Sequence, residues 1–122
     1  MTNAIKSAVI PSLLLKVEER DYTVEFPLSA VILAEEKLGR PLKSLQDWFS
    51  LASKDIPAVL QAGLQKHHPD IQPGDVTRIC DTLNPEALDE VLYALCKLAF
   101  PRRMAALEES IAKGKGTASP NG

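Results

Sequence analysis

Nine prolines divide this chain, and their spacing limits the length of every secondary-structure element. They stand at positions 11, 27, 41, 57, 69, 73, 85, 101 and 120. Apart from the close pair Pro69 and Pro73, the first eight are separated by 12 to 16 residues. Proline lacks an N–H and disfavours helical geometry in the residue before it, so it collects at element starts and in turns. The spacing therefore predicts short elements of about three turns each.

Residues 11–27 have the pattern of a β-hairpin. Residues 13–17 and 22–26 are rich in β-forming side chains, and the second run alternates between apolar and polar positions. The apolar positions of that run are Tyr22, Val24 and Phe26. Residues 18–21 are the predicted loop, without the Asn-Gly or Asp-Gly signal of a tight turn. Since a lone hairpin is marginal in water, its apolar face is expected to pack on the elements C-terminal to it.

The rest of the chain is predicted to form short helices with polar residues at their starts. The predicted N-caps are Ser29, Ser44, Asp55 and Asn84. Asp47 follows Ser44 at the spacing of a capping box, and Pro73 opens the helix that precedes Asn84.

The helix stops and the tail complete the predicted architecture. Gly39 is the predicted left-handed stop of the first helix, and Pro101 is expected to end or kink the longest one. Residues 1–112 are predicted to form one domain, and residues 113–122 a flexible, disordered tail with nothing to bury. The predicted fold class is α+β and mostly α, with a short N-terminal β-hairpin packed on about five short helices.

The core is expected to be aliphatic, because only 5% of residues are aromatic. Apolar residues recur at i, i+3, i+4 and i+7 in the predicted helices, which is the spacing of one buried face. The residues predicted to be buried are Val24, Phe26, Val31, Leu38, Leu45, Phe49, Val59, Leu60, Leu64, Val76, Ile79, Cys80, Leu88, Leu92, Leu95 and Cys96.

The charge balance argues against a polyanion-binding protein. Lys and Arg total 14 against 16 Asp and Glu, a net charge of −2. A helix-turn-helix across residues 76–95 would start its second helix with three acids in residues 84–90, the wrong charge for approaching phosphates. No apolar run reaches the roughly 20 residues of a membrane span. Neither nucleic acid nor a membrane is therefore an expected partner.

Side chains that could bind a metal or catalyse a reaction are few. Cys80 and Cys96 with His67 and His68 lack the paired spacing of zinc ligands, and the cysteines lie on predicted core stripes. The two histidines are expected at an exposed helix end. The acidic pairs at 35–36 and 108–109 diverge on a helix, and no nucleophile elbow or phosphate-binding loop is present. We therefore expect no enzyme activity, no cofactor and no metal.

The order of elements resembles a known family. The hairpin ends in residues 25–28, and an acidic helix over residues 31–39 ends at glycine. Residues 60–64 read Leu-Gln-Ala-Gly-Leu, and residues 68–76 form a turn that ends in Asp-Val. Over about residues 12–100 this order is similar to that of the tail assembly chaperones of long-tailed phages and of gene-transfer-agent-like particles.

The resemblance implies a non-enzymatic role in phage or prophage tail morphogenesis. Such chaperones bind the tape measure protein before assembly, keep it soluble and help to recruit tail tube subunits. It implies a protein of the host cytoplasm that is absent from the mature virion. The reducing cytoplasm also suits the presence of only two cysteines. A small helical regulator or adaptor subunit of unknown partner remains the alternative.

Partner contact is expected on apolar side chains left over after the core is filled. Trp48 is the first candidate and its neighbour Phe49 is included with it, because only one of the two can point fully inward from a short helix. The alternative, that Trp48 completes the core, remains open at this point. Leu98, Phe100 and Met104 around Pro101 form a second candidate patch, which could also serve self-association.

The resemblance also implies that a longer product of the gene exists. In many phages of this type the chaperone gene ends with a slippery site, where some ribosomes shift frame and add a second domain. One common slippery heptamer encodes Gly-Lys, and Gly114-Lys115 stands a few residues before residue 122. An ordinary solubilising tail is the alternative interpretation.

Overall fold

A computed structural model of the chain describes residues 11–118, with side chains described as far as residue 113. Strands β1 (Ser12–Val17) and β2 (Arg20–Glu25) form an antiparallel hairpin. Within the described residues six α-helices and one 3₁₀ turn come after the hairpin. The predicted fold, mostly helical with an N-terminal hairpin, is confirmed.

The turn of the hairpin is shorter than predicted. Val17 pairs with Arg20, so only Glu18 and Glu19 lie outside the ladder. Both have positive φ, 50° and 68°, the left-handed backbone that matches the twist of the two strands. The predicted loop over residues 18–21 was two residues too long because strand pairing continues through charged positions.

The first two helices are α1 (Leu28–Leu38) and α2 (Leu45–Phe49). Gly39 ends α1 in the left-handed conformation at φ 68°, as predicted. The capping box of α2 is also confirmed, with Ser44 Oγ accepting from the Asp47 N–H at 3.1 Å and Asp47 Oδ2 accepting from the Ser44 N–H at 3.1 Å. Ser29 is wrong as a cap, because the N-cap position is Pro27, two residues earlier, and the helix already begins at Leu28.

Helix α3 (Ile56–Leu64) packs between α1 and the hairpin. Asp55 does not cap it by a side-chain hydrogen bond; its Oδ2 accepts from the Ala52 N–H at 3.3 Å and closes the 3₁₀ turn Ser53–Asp55. Gly63 faces β2 so closely that a Cβ there would lie 2.5 Å from Phe26 Cε2. The glycine therefore sets how near α3 and the hairpin can approach.

The C-terminal half contains α4 (Pro73–Asp81), α5 (Pro85–Ala99) and α6 (Pro101–Ala118). Asn84 caps α5 as predicted, its Oδ1 accepting from the Ala87 N–H at 2.8 Å. Pro101 ends α5 and opens α6. The backbone of α6 continues beyond residue 113, where the tail was predicted to begin, and an ion pair of 3.0 Å joins Lys113 to Glu109 one turn earlier. Residues 119–122 lie outside the described part.

The core joins the hairpin to all of the longer helices. Of the residues predicted to be buried, those that the structure buries are Val24, Phe26, Val59, Leu60, Leu64, Val76, Ile79, Leu92, Leu95 and Cys96. Those partly buried against them are Val31, Leu38, Leu45, Cys80 and Leu88. Phe49 is the exception at 43% exposed, because Trp48 occupies the inward position of the five-residue α2. No helix in the described part of the chain combines the length and apolarity that crossing a membrane needs.

Candidate partner-binding groove

Trp48, the first candidate for partner contact, belongs to the core. Its indole is fully buried, and Nε1 donates to the Leu42 carbonyl at 3.3 Å. Its ring meets Phe26 and Phe100 edge to face, with centroids 5.3 Å and 6.3 Å apart. The prediction of Trp48 as a contact residue is therefore corrected: its buried side chain packs between the end of the hairpin, the loop before α2 and the end of α5, and presents no surface to a partner.

The second predicted patch is also mostly internal. Leu98 and Met104 are buried, and Cys96 Sγ lies 3.8 Å from Met104 Sδ where α6 folds back on α5. This packing removes Leu98 and Met104 from the candidate surface. Of the five predicted contact residues, only Phe49 and the half-buried Phe100 reach solvent.

An apolar groove lies beside Phe100. It runs between α1 and the end of α5 and has a volume of about 500 Å³. Its lining residues are Phe26, Leu28, Val31, Glu35, Leu42, Lys43, Ala99 and Phe100. We call this site the α1–α5 groove. Its volume falls within the range of roughly 300–1,000 Å³ that is typical of binding pockets.

The local sequence accounts for the two walls of the groove. Pro27 places Leu28 at the first helical position, so Leu28, Val31 and Glu35 follow one another along one face of α1. On the other wall Pro101 ends α5 and leaves Phe100 at its C-terminal boundary, where the Arg103 guanidinium lies 5.0 Å from the ring centroid. Pro27 therefore sets where α1 begins and Pro101 sets where α5 ends, which fixes the position of the two walls.

Exposed apolar side chains extend the groove along α1. Leu28 is 74% exposed, and Ile32, one turn further along the helix, is 46% exposed. Contiguous exposed apolar surface is the usual mark of an interaction site. The sequence analysis missed this surface, although the signal was present: Leu28 and Ile32 stand four residues apart, on a face that the core stripe does not use.

The charged side chains at the groove differ in the hydrogen bonds that they make. Glu35 Oε2 accepts from the Leu42 N–H at 2.8 Å, which holds the loop before α2 against α1. Arg103 Nη1 donates to the Lys43 carbonyl at 3.1 Å, which holds α6 against the same loop. The side chain of Lys43 is exposed.

The two histidines, just after the end of α3, form hydrogen bonds to the hairpin. His68 Nε2 accepts from the Thr23 N–H at 2.9 Å, which requires a ring with no proton on Nε2. His67 Nε2 lies 2.8 Å from Glu25 Oε2, and Lys66 Nζ lies 3.0 Å from Glu25 Oε1. Hydrogen bonds from His67 and Lys66 lower the pKa of Glu25. His67 is exposed, as predicted, and His68 is partly buried, and both side chains also connect the hairpin to the turn after α3.

The cysteines and the acidic pairs do not assemble into a reactive site. Burial raises the pKa of the Cys96 thiol to about 11 and, together with the Asp81 charge, raises that of Cys80, so both favour the unreactive thiol form. Glu108 accepts from the Tyr93 hydroxyl at 2.9 Å, whereas Glu109 pairs with Lys113. Among the described residues, no three His, Cys, Asp or Glu side chains come together to hold a metal.

Comparisons with protein-family models, with curated proteins and with solved structures find no match to this chain.

Proposed function

We propose that this protein is a tail assembly chaperone of a long-tailed phage or prophage. In this role it binds the unassembled tape measure protein in the host cytoplasm, helps to recruit tail tube subunits and leaves before the virion is complete. The order of sequence motifs over about residues 12–100 supports the proposal, and the hairpin followed by short helices is the arrangement that those motifs imply.

The α1–α5 groove carries the proposal. A tape measure protein is a very long helical chain, and its apolar stripes would associate with one another if they were exposed. A groove with apolar walls, extended along α1 by Leu28 and Ile32, can cover such a stripe by helix-in-groove recognition. Low affinity per copy is sufficient, since many copies bind along one target.

Co-expression with the tape measure protein of the same genome tests this function. With the wild-type chain we expect the tape measure protein to remain soluble and to co-purify. Leu28→Asp places a carboxylate on the wall of the groove, where burial by a partner costs desolvation energy, so co-purification should be lost.

Leu14→Asp is the matched control, because Leu14 is also an exposed leucine, at 54%, but does not line the groove. Both variants are compared with the wild type by thermal unfolding, so that a folding defect is recognised. An insoluble tape measure protein beside the wild-type chain, or full capture by Leu28→Asp, contradicts the proposal. A tail tube gene upstream and a very long helical reading frame downstream would support it independently.

A further inference from the structure

The two histidines after α3 bind the hairpin in opposite ways. His68 Nε2 accepts a hydrogen bond from the Thr23 N–H at 2.9 Å, so this contact exists only while Nε2 carries no proton. His67 Nε2 lies 2.8 Å from Glu25 Oε2, and a carboxylate binds the protonated ring more strongly than the neutral one. Two adjacent side chains at the same contact therefore favour opposite protonation states.

Backbone hydrogen bonds hold His68 in the accepting position. The His68 N–H donates to the Leu64 carbonyl at 2.8 Å, and the His68 carbonyl accepts from the Ile71 N–H at 3.0 Å. The ring also lies against Tyr22, with ring centroids 5.4 Å apart. Because the backbone is held on both sides, a proton on Nε2 would set one N–H against another. The ring then has to rotate away, and the Thr23 N–H loses its acceptor.

The surroundings of His68 allow the ring to be charged. A cavity of about 330 Å³ lies beside it. The other titratable residues that line this cavity are Arg20 and Tyr22 on β2, His67 and Asp70 in the turn after α3, and Asp75 on α4. The carboxylates of Asp70 and Asp75 offset the positive charge of Arg20, so the cavity can hold a rotated imidazolium.

We propose that protonation of His68 releases β2 at Thr23 from the turn after α3, while Glu25 stays bound to it. A histidine gains its second proton between about pH 8 and pH 5. The pKa of Glu25 is lowered from 4.5, so Glu25 is still a carboxylate in that range and keeps its contact of 3.0 Å with Lys66 Nζ. The hairpin therefore loosens at one contact only. This change does not depend on the proposed function, since it concerns contacts within the chain.

Hydrogen exchange of the Thr23 amide, followed by NMR, tests the inference. Its protection factor, which corrects for the intrinsic exchange rate at each pH, should fall about fivefold as His68 is protonated, the fold-change expected for the loss of one hydrogen bond. The Leu42 N–H, which donates to the Glu35 carboxylate at 2.8 Å, is the internal control and should keep its protection. Long-range proton–nitrogen spectra of the rings should place the proton of neutral His68 on Nδ1.

Two neighbouring substitutions locate the effect. His68→Gln supplies a side-chain carbonyl that accepts a hydrogen bond at every pH, so the change in Thr23 protection should disappear. His67→Gln is the matched control and should leave the change in place, because the His67 ring contacts Glu25. The tautomer of His68 is measured on the wild type, so it decides the matter even if His68→Gln does not fold.

Four results would overturn the inference. They are a proton on Nε2 of neutral His68, protection of Thr23 that does not follow the titration of His68, the same loss of protection in His68→Gln, and an equal loss at Leu42. The last result would show that acid unfolds the whole chain and does not act at one contact. Loss at Thr23 alone, present in His67→Gln and absent in His68→Gln, would support it.

Discussion

The Gly63 backbone lies so close to the Phe26 ring that a side chain at position 63 would clash with it. A Cβ on Gly63 would lie 2.5 Å from Phe26 Cε2 and 2.7 Å from Val24 Cγ1. Both neighbours are buried, and Phe26 is also held edge to face against Trp48. The contact between α3 and the hairpin therefore depends on the absence of a side chain at this position.

Gly63→Ala should lower the free energy of unfolding by about 1–3 kcal/mol, the usual cost of overpacking a core. The gain in helix propensity, about 1 kcal/mol, offsets only part of the strain. Chemical denaturation measures the change. Gly74→Ala is the control, since nothing lies within 4 Å of its Cβ position and its φ is not positive. Equal stability of Gly63→Ala and Gly74→Ala would contradict the close packing inferred at position 63.

The turn of the hairpin offers a stabilising substitution. Glu18 and Glu19 both adopt positive φ, which costs energy for residues with a Cβ. Replacing the pair with Asn-Gly, the sequence that favours two-residue hairpin turns, should raise stability by about 1 kcal/mol. The unfolding midpoint in urea measures the gain. Unchanged or lower stability would show that the backbone conformation of Glu18 and Glu19 does not limit the stability of the protein.

Acid should weaken the junction between the hairpin and α3. The pKa of Glu25 in the folded chain is lowered from 4.5 by its hydrogen bonds to His67 and Lys66. This stabilisation is therefore fully present above pH 4.5 and is lost as the pH falls through the lower folded-state pKa.

Glu25→Gln should be less stable than the wild type at neutral pH, and this difference should shrink as the pH falls below 4.5. Urea unfolding at a series of pH values measures it. Glu90→Gln, which removes an exposed carboxylate on α5, provides the control and should lose little stability at either pH. If the difference in unfolding free energy between Glu25→Gln and the wild type does not change with pH, the lowered pKa of Glu25 is contradicted.

The coding sequence tests the predicted longer product. Gly114 and Lys115 lie in the backbone of α6, which continues to Ala118. If a run such as GGAAAG encodes them and an overlapping frame comes after it, expression of the natural gene should yield a minor longer product that shares residues 1 to about 114. Mass spectrometry of the purified products detects it. Without both sequence features the frameshift prediction fails.

Features set by neighbouring residues could be predicted from the sequence. The capping box of Ser44 and Asp47, the Asn84 cap and the Gly39 stop all involve atoms within four residues of one another. Proline acts just as locally, so the starts of α4, α5 and α6 follow from their first residues. The alternation in β2 likewise indicated its buried face. Local backbone chemistry was sufficient for these features because no distant residue contributes to them.

Contacts between distant residues were decided only by the tertiary structure. Trp48 and Phe49 are equally apolar neighbours, and the packing of Phe26 and Phe100 around the indole determines which one points inward. His68 contacts Thr23 from 45 residues away, which no local pattern reports. The groove arises in the same way, because Leu28 and Phe100 become neighbours only when α1 and α5 pack on a common core. Helical periodicity indicates that a face is apolar, whereas the shapes of the other elements determine whether that face is covered.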